Sequence, residues 1–148
     1  MAARGSRRLT EIAEGVTYWD TSAILSVLFR DEHSETATAR ARTTGLHLIS
    51  ALAWAETHAV IAKIEREGAM NSVLVEAARE VLELGPWRRI NTLPDWKVAK
   101  ELSGKWPLRG ADLWHLCAAK TLHAELSELR LLSFDTRLAL SAQGEGLA

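Results

Sequence analysis

The chain holds one cysteine, Cys117, in 148 residues. A single thiol closes no internal bridge. That excludes the disulfide-stapled secreted domains and any zinc site built from cysteines, and it fits a reducing cytosol. Charge of one sign is also lacking: 18 lysines and arginines stand against 19 acids, a formal net charge of −1. A nucleic-acid binder held by bulk charge is strongly basic, so such a contact here needs a local patch. No apolar run approaches the ~20 residues that span a bilayer. Arg4, Arg7 and Arg8 are followed by no continuous apolar stretch, which speaks against a secretory signal. Residues 1–15 therefore read as a loose N-terminal extension, with a basic arm on RNA as the sharper alternative. There is no internal repeat and no low-complexity linker, so one domain is expected.

What is present is globular. Apolar residues reach 47%, enough for a chain of this size to bury roughly two-thirds of its unfolded surface. Val16–Trp19 is β-branched and aromatic and reads as a strand ending at Asp20. Ser22 is placed to cap a helix carrying Ile24, Leu25, Leu28 and Phe29. A polar break at 30–34 precedes an alanine-rich helix to Arg42, ended by Gly45. Residues 46–49 form the second strand candidate. Ser50 caps a helix over Ala51–Glu67 with Leu52, Ala55, Ala59, Val60 and Ala62 as its apolar stripe and Gly68 as its stop.

Asn71 opens a helix whose Leu74, Ala77, Ala78, Val81 and Leu82 share a face, closed by Gly85-Pro86. Residues 88–93 are a weaker strand, and Pro94 suits the first turn of the next helix. Gly104 and Pro107 interrupt before Asp112, which begins the apolar segment 113–122. Residues 129–134 are the clearest strand, followed by Asp135 and a short helix through Ala142. Strands alternating with helical crossovers predict an α/β fold: a central, mostly parallel sheet with helices on both faces.

Asp20 and Asp135 each follow an expected strand, and ligands of open parallel sheets bind outside the carboxyl ends of the strands. Asp112 opens a helix that returns to the same rim. Glu56 lies among Leu52, Ala53, Trp54 and Ala55, where an unpartnered carboxylate is costly, so it requires a partner or a metal. Singly, the three aspartates read as caps or turn residues. Together, four acids on one rim repel one another unless a cation sits there. Carboxylates without paired histidines or cysteines favour Mg²⁺ or Mn²⁺.

These residues carry a resemblance. Tyr18-Trp19-Asp20-Thr21-Ser22-Ala23-Ile24-Leu25 resembles the opening strand motif of the PIN-domain ribonucleases. Ser50-Ala51-Leu52-Ala53-Trp54-Ala55-Glu56 is similar to the second motif, Ala111-Asp112-Leu113-Trp114-His115-Leu116-Cys117-Ala118-Ala119 to the third, and Leu131-Leu132-Ser133-Phe134-Asp135-Thr136-Arg137-Leu138 to the last. All four stand in order, and residues 16–148 read as the PIN domain. Length and motif style resemble the VapC group, the toxins of type II toxin–antitoxin pairs. The resemblance implies a cytoplasmic, Mg²⁺-dependent endoribonuclease, with Mn²⁺ as a substitute and tRNA or rRNA as plausible substrates. It also implies silencing by a cognate VapB-like antitoxin, and a homodimer burying on the order of 1,200–2,000 Å².

By the same resemblance Asp20, Glu56, Asp112 and Asp135 form the catalytic site, with Asp20, Asp112 and Asp135 on the metal. Thr21, Ser22 and Ser133 are supporting hydroxyls. Where many members carry a further acid two positions after the last one, this chain has Arg137. That departure motivates an alternative reading: a catalytically weak PIN-fold module that binds RNA or protein. A phosphotransferase using Asp20 as nucleophile would want an acid at Ser22. Arg109, three residues before Asp112, is the candidate phosphate contact. His115 reads as structural, the other histidines as surface or packing residues, and Trp54 and Trp114 as core before base-stacking.

Overall fold

The computed structural model describes residues 15–148. The extension read over 1–15 lies, through residue 14, outside the described residues. Four strands, β1 (Val16–Trp19), β2 (Leu46–Ser50), β3 (Trp87–Ile90) and β4 (Leu129–Leu132), form one sheet in the order β3-β2-β1-β4. Every pairing is parallel. Seven described helices connect and cover it: α1 (Thr21–Leu28), α2 (Ser34–Ala41), α3 (Ala51–Glu67), α4 (Ser72–Leu84), α5 (Trp96–Lys105), α6 (Gly110–His123) and α7 (Thr136–Gly144).

Alternation along the strands builds two cores. Val16 and Tyr18 of β1, with Leu48, Leu129 and Leu131, meet Leu102 of α5, Leu116 of α6 and Leu138 of α7. Trp19, Ile49 and Trp87 face the other way, onto Ala23 and Ile24 of α1, Ala37 of α2, Ile61 of α3 and Val75 of α4. The chain thus steps β1 to β2 to β3 with α1–α4 on one face, then crosses back over the other face with α5 and α6. Right-handed crossovers put helices on opposite faces when the direction of travel reverses. The reversal falls between β1 and β4, where a doubly wound sheet opens its crevice.

The fold class agrees with expectation, and several details do not. The cap of α1 is Asp20, whose carboxylate accepts from Ala23 N–H, rather than Ser22. The buried stripe of α3 is Ala53, Thr57 and Ile61, an i, i+4, i+8 row, while Ala55 and Ala59 face solvent. On α4 the buried row is Val75, Ala78 and Leu82, which leaves Leu74 and Val81 outside. β3 begins at Trp87, whose ring edges onto Trp19, and it ends at Ile90. Gly104 lies within α5, and Asp95 rather than Pro94 starts that helix, accepting from Lys97 and Val98 N–H. β4 ends at Leu132, so Asp135 follows the strand by a short turn. Gly68 does stop α3, at φ +60°, and Gly45 sits at φ +122° where a Cβ would collide with the Gly15 carbonyl.

The last turn of the chain is locked from three sides. Leu147 is fully buried and its carbonyl accepts from Leu131 N–H at 2.7 Å. Glu145 takes Lys105 Nζ at 2.6 Å, Lys120 Nζ at 3.4 Å and the Trp106 indole N–H at 3.0 Å. Burial pushes the Glu145 carboxyl upward, but these donors outweigh it and hold it below its ordinary value of 4.5. A depressed folded value stabilises the fold above pH 4.5, and that stability is lost as pH falls through the lowered value. Glu145→Gln is therefore expected to lower the melting temperature at pH 7 and to flatten its decline in acid. Thermal scans from pH 7 down to the acid limit measure both, and an unchanged acid slope contradicts the assignment.

Candidate active site

Asp20 sits where β1 ends, 2% exposed, with its backbone N–H on the Leu132 carbonyl at the end of β4. Its Oδ1 accepts from Ala23 N–H at 2.9 Å and Ser22 Oγ at 2.7 Å. Its Oδ2 accepts from Ser22 Oγ at 2.9 Å and, by a short bond, from Ser133 Oγ. Those hydroxyls are themselves aimed. Ser22 Oγ accepts from Phe134 N–H at 3.0 Å and Ser133 Oγ from Asp135 N–H at 3.1 Å, which turns both hydroxyl hydrogens toward Asp20. Burial still raises the Asp20 carboxyl, against the lowering pull of Ser133, Ala23 and Ser22.

Glu56, on the rim-facing turn of α3, has the partner its surroundings demanded. Its Oε1 accepts from Thr21 Oγ1 at 2.8 Å and lies 3.0 Å from His115 Nε2. On the far side of the imidazole, Nδ1 lies 2.8 Å from the Tyr18 hydroxyl. The arrangement satisfies every group if Nε2–H donates to Glu56 and the Tyr18 hydroxyl donates to Nδ1, a tautomer inferred from the network. His115 is 2% exposed and reaches across from α6, so it is more than packing: it orients Glu56. The bond from His115 holds Glu56 below the usual carboxylate range, against the upward push of burial. Among the described residues Oε2 of Glu56 has no hydrogen bond.

Asp112 and Asp135 are placed differently. Both line a cavity of about 240 Å³ with Leu108, Arg109 and Arg137. Asp135 caps α7 through Oδ1, which accepts from Leu138 N–H at 2.9 Å. Asp112 lies in the first turn of α6 rather than at its cap, which is Arg109. Among the described residues its side chain makes no hydrogen bond and no ion pair. Burial raises its carboxyl, and the charges of Asp135 and Glu56 raise it further. An acid lifted in this way destabilises the fold at neutral pH, and the strain is relieved as pH falls through the raised value.

The four acids and the hydroxyls of Thr21, Ser22 and Ser133 are therefore brought to one rim, at the reversal between β1 and β4. Among the described residues, however, no three His, Cys, Asp or Glu side chains close on one ion. Asp20 receives three donor hydrogens, from Ala23 N–H and from the Ser22 and Ser133 hydroxyls, against the roughly four lone pairs of a carboxylate, so most of its acceptor capacity is in use. The donor chemistry nonetheless fits a hard divalent cation. The free oxygens belong to carboxylates, both ring nitrogens of His115 are occupied, and Cys117 is buried with its thiol pushed up to about 11. Sequence reasoning missed the Tyr18–His115–Glu56 chain. Its signal was His115, three residues past Asp112 on the same helix.

Tyr18→Phe removes the hydroxyl that serves His115 Nδ1 without opening a large void. A buried acceptor left unsatisfied costs about 1–3 kcal/mol. Urea denaturation is expected to show a loss in that range; a neutral result means that the Tyr18–His115 bond is not formed in solution.

A family model described as PIN domain matches residues 17–142. No curated protein matches the chain at a significant level. PIN domains are generally metal-dependent nucleases. No described helix is long and apolar enough to cross a membrane. With the match running from β1 into α7, through all four acids and the sheet that carries them, the chain belongs to the PIN domain family.

Proposed function

We propose that the protein is a cytoplasmic, Mg²⁺-dependent endoribonuclease, the toxin of a VapBC-type pair, with residues 16–148 as its catalytic domain. The observation that carries the nuclease reading is Asp112. It is a carboxylate without a protein partner, raised by burial and by neighbouring acids, in a polar cavity with Asp135, Arg109 and Arg137. In this reading Asp112 and Asp135 offer free oxygens to the cation, and Asp20 joins them through its remaining lone pair. Mg²⁺, or Mn²⁺ in its place, neutralises phosphate charge and acidifies a water when bound.

The chain's own groups do the remaining work. Arg109 takes a phosphate oxygen of the RNA at the mouth of the cavity. Glu56, ionised and held by Thr21 and His115, presents Oε2 as an acceptor that orients a water. Ser22 and Ser133 keep Asp20 in place. The toxin assignment is supported by four motifs in register within a short chain. Its partners in this reading are a VapB-like antitoxin, tRNA or rRNA as substrate, and a second copy of the chain. The rival reading, a PIN-fold module that binds without cutting, draws on the three protein donors already held by Asp20 and on Arg137.

Labelled tRNA and rRNA fragments incubated with the protein test this. Cleavage is expected with Mg²⁺ or Mn²⁺, none with a chelator, and none by Asp112→Asn. Mg²⁺ should also raise the melting temperature of the parent protein by mass action and leave that of Asp112→Asn unmoved. Asp112→Asn itself should melt no lower than the parent at pH 7, because it relieves the repulsion that lifts Asp112. RNA bound but never cut, at any metal concentration, establishes the binding module instead.

The association expectation has a candidate surface. Val73, Leu74, Val81 and Leu84 of α4 are 71%, 56%, 41% and 77% exposed. Sedimentation at micromolar concentration should show a dimer, and only monomer contradicts it.

A further inference from the structure

The turn that carries Ser133 and Asp135 has a second side that the reading above leaves unused. There the His33 and Phe134 rings lie face to face, centroids 4.4 Å apart and planes within 2° of parallel. Both line a cavity of about 490 Å³, together with Ser133, Thr136, Leu140 and Gln143. That volume falls within the ~300–1,000 Å³ of small-ligand sites. Leu140 is 58% exposed, so the cavity is open to solvent.

The stack is held from both sides. His33 follows a turn organised by Asp31, whose Oδ2 accepts from Ser26 Oγ at 2.7 Å and whose Oδ1 accepts from His33 N–H at 2.8 Å. Asp31 N–H donates to Ser34 Oγ at 2.7 Å, and that hydroxyl donates to the Phe29 carbonyl at 3.1 Å. Phe134 is fixed by its N–H on Ser22 Oγ, the hydroxyl that also holds Asp20. The backbone under both rings is therefore fixed, and the rings hold each other by their stack before any ligand arrives, which reduces the entropy lost when a third ring joins them.

Resting on the ribonuclease reading, we infer that the His33–Phe134 pair is a stacking platform for one nucleobase of the substrate RNA. Unpaired bases are bound chiefly by stacking on aromatic side chains. The Thr136 hydroxyl and Gln143 amide in the same cavity wall supply a donor and an acceptor for a base edge. Position links the platform to the acids. Ser133 lines this cavity while its hydroxyl bonds Asp20. Asp135, between Phe134 and Thr136 in the chain, lines the cavity that holds Asp112 and the two arginines. A nucleotide's base and its neighbouring phosphate thus fall on the two sides of one turn. The occupant is the substrate strand itself, because the turn 133–136 that lines this cavity also carries Asp135 of the acidic cavity and the hydroxyl that bonds Asp20.

The test separates base from phosphate. On an Asp112→Asn background, fluorescence polarisation compares a short labelled single-stranded RNA with an all-abasic ribose-phosphate strand of equal length and charge. His33→Ala is expected to weaken the base-bearing strand by about five- to tenfold, the lower part of the range for one lost stack. The abasic strand should bind as before, with an unchanged salt slope. His33→Phe, which keeps the ring and removes the ionisable nitrogens, should retain affinity for the base-bearing strand. Equal loss on both strands, or loss with His33→Phe, would mean that His33 acts through charge, and the platform is overturned. No loss with His33→Ala also overturns it, while RNA cleavage by the parent protein leaves the nuclease reading standing. A parent protein that neither binds nor cuts RNA removes both.

Discussion

One buried carboxylate organises the rim. Asp20 ends β1, caps α1, and is gripped by hydroxyls from α1 and from the turn after β4. A charge taken out of water is tolerated only when its acceptors are filled, and here the backbone fills them indirectly. The N–H groups of Phe134 and Asp135 occupy the lone pairs of Ser22 and Ser133, so each hydroxyl has its hydrogen left for Asp20. The consequence is geometric. The turn between β4 and α7 cannot move without disturbing the carboxylate, so Asp135 on one side and Phe134 on the other are placed relative to Asp20. Burial nevertheless leaves Asp20 raised. The hydrogen bonds reduce the desolvation penalty without cancelling it.

The same rim holds a second, independent brace. Glu56 is fixed by Thr21, the residue after Asp20, and by His115, which is fixed in turn by Tyr18 from inside β1. Both braces start from β1, one of the two strands flanked on both sides in the sheet. A central strand is the least mobile part of a parallel sheet, since both of its edges are hydrogen-bonded. Precision at the site thus descends from the strand, through Tyr18 and Asp20, to side chains on α3, α6 and the last turn.

The sheet was legible in the sequence because its strands are short apolar runs closed by breakers, and parallel order follows from helical crossovers. Helix faces were less legible. The stripe read on α3 missed because alanine is indifferent between core and solvent, and Thr57 occupied a buried place a polar residue does not advertise. On α4, Leu74 and Val81 read as core although they are exposed; apolar identity marks a face without saying what covers it. The acids were legible by their place at strand ends and helix starts. Their partners were not. Ser22 reads equally well as a cap, and only the fold shows that Asp20 takes the cap and Ser22 serves Asp20. His115 bonds a residue from each of two other elements, a long-range pairing that local spacing does not encode.

The braces divide the four acids by function. Asp20 has both oxygens held by the protein, Glu56 and Asp135 each have one oxygen held, and Asp112 has no protein donor among the described residues. A fold selected for stability alone would have no reason to leave Asp112 lifted by burial and by two neighbouring acids. The strain makes sense if an outside cation is the missing partner. The cavity also carries Arg109 and Arg137, so its two acids face two guanidinium groups from the same lining. Arg137 stands where a further acid would add negative charge for a second ion. In the proposed reading it does the opposite, strengthening the hold on phosphate while the acids keep one cation. In that reading the charge balance of this small cavity, two acids against two arginines, suits a phosphate and a single ion better than a pair of ions.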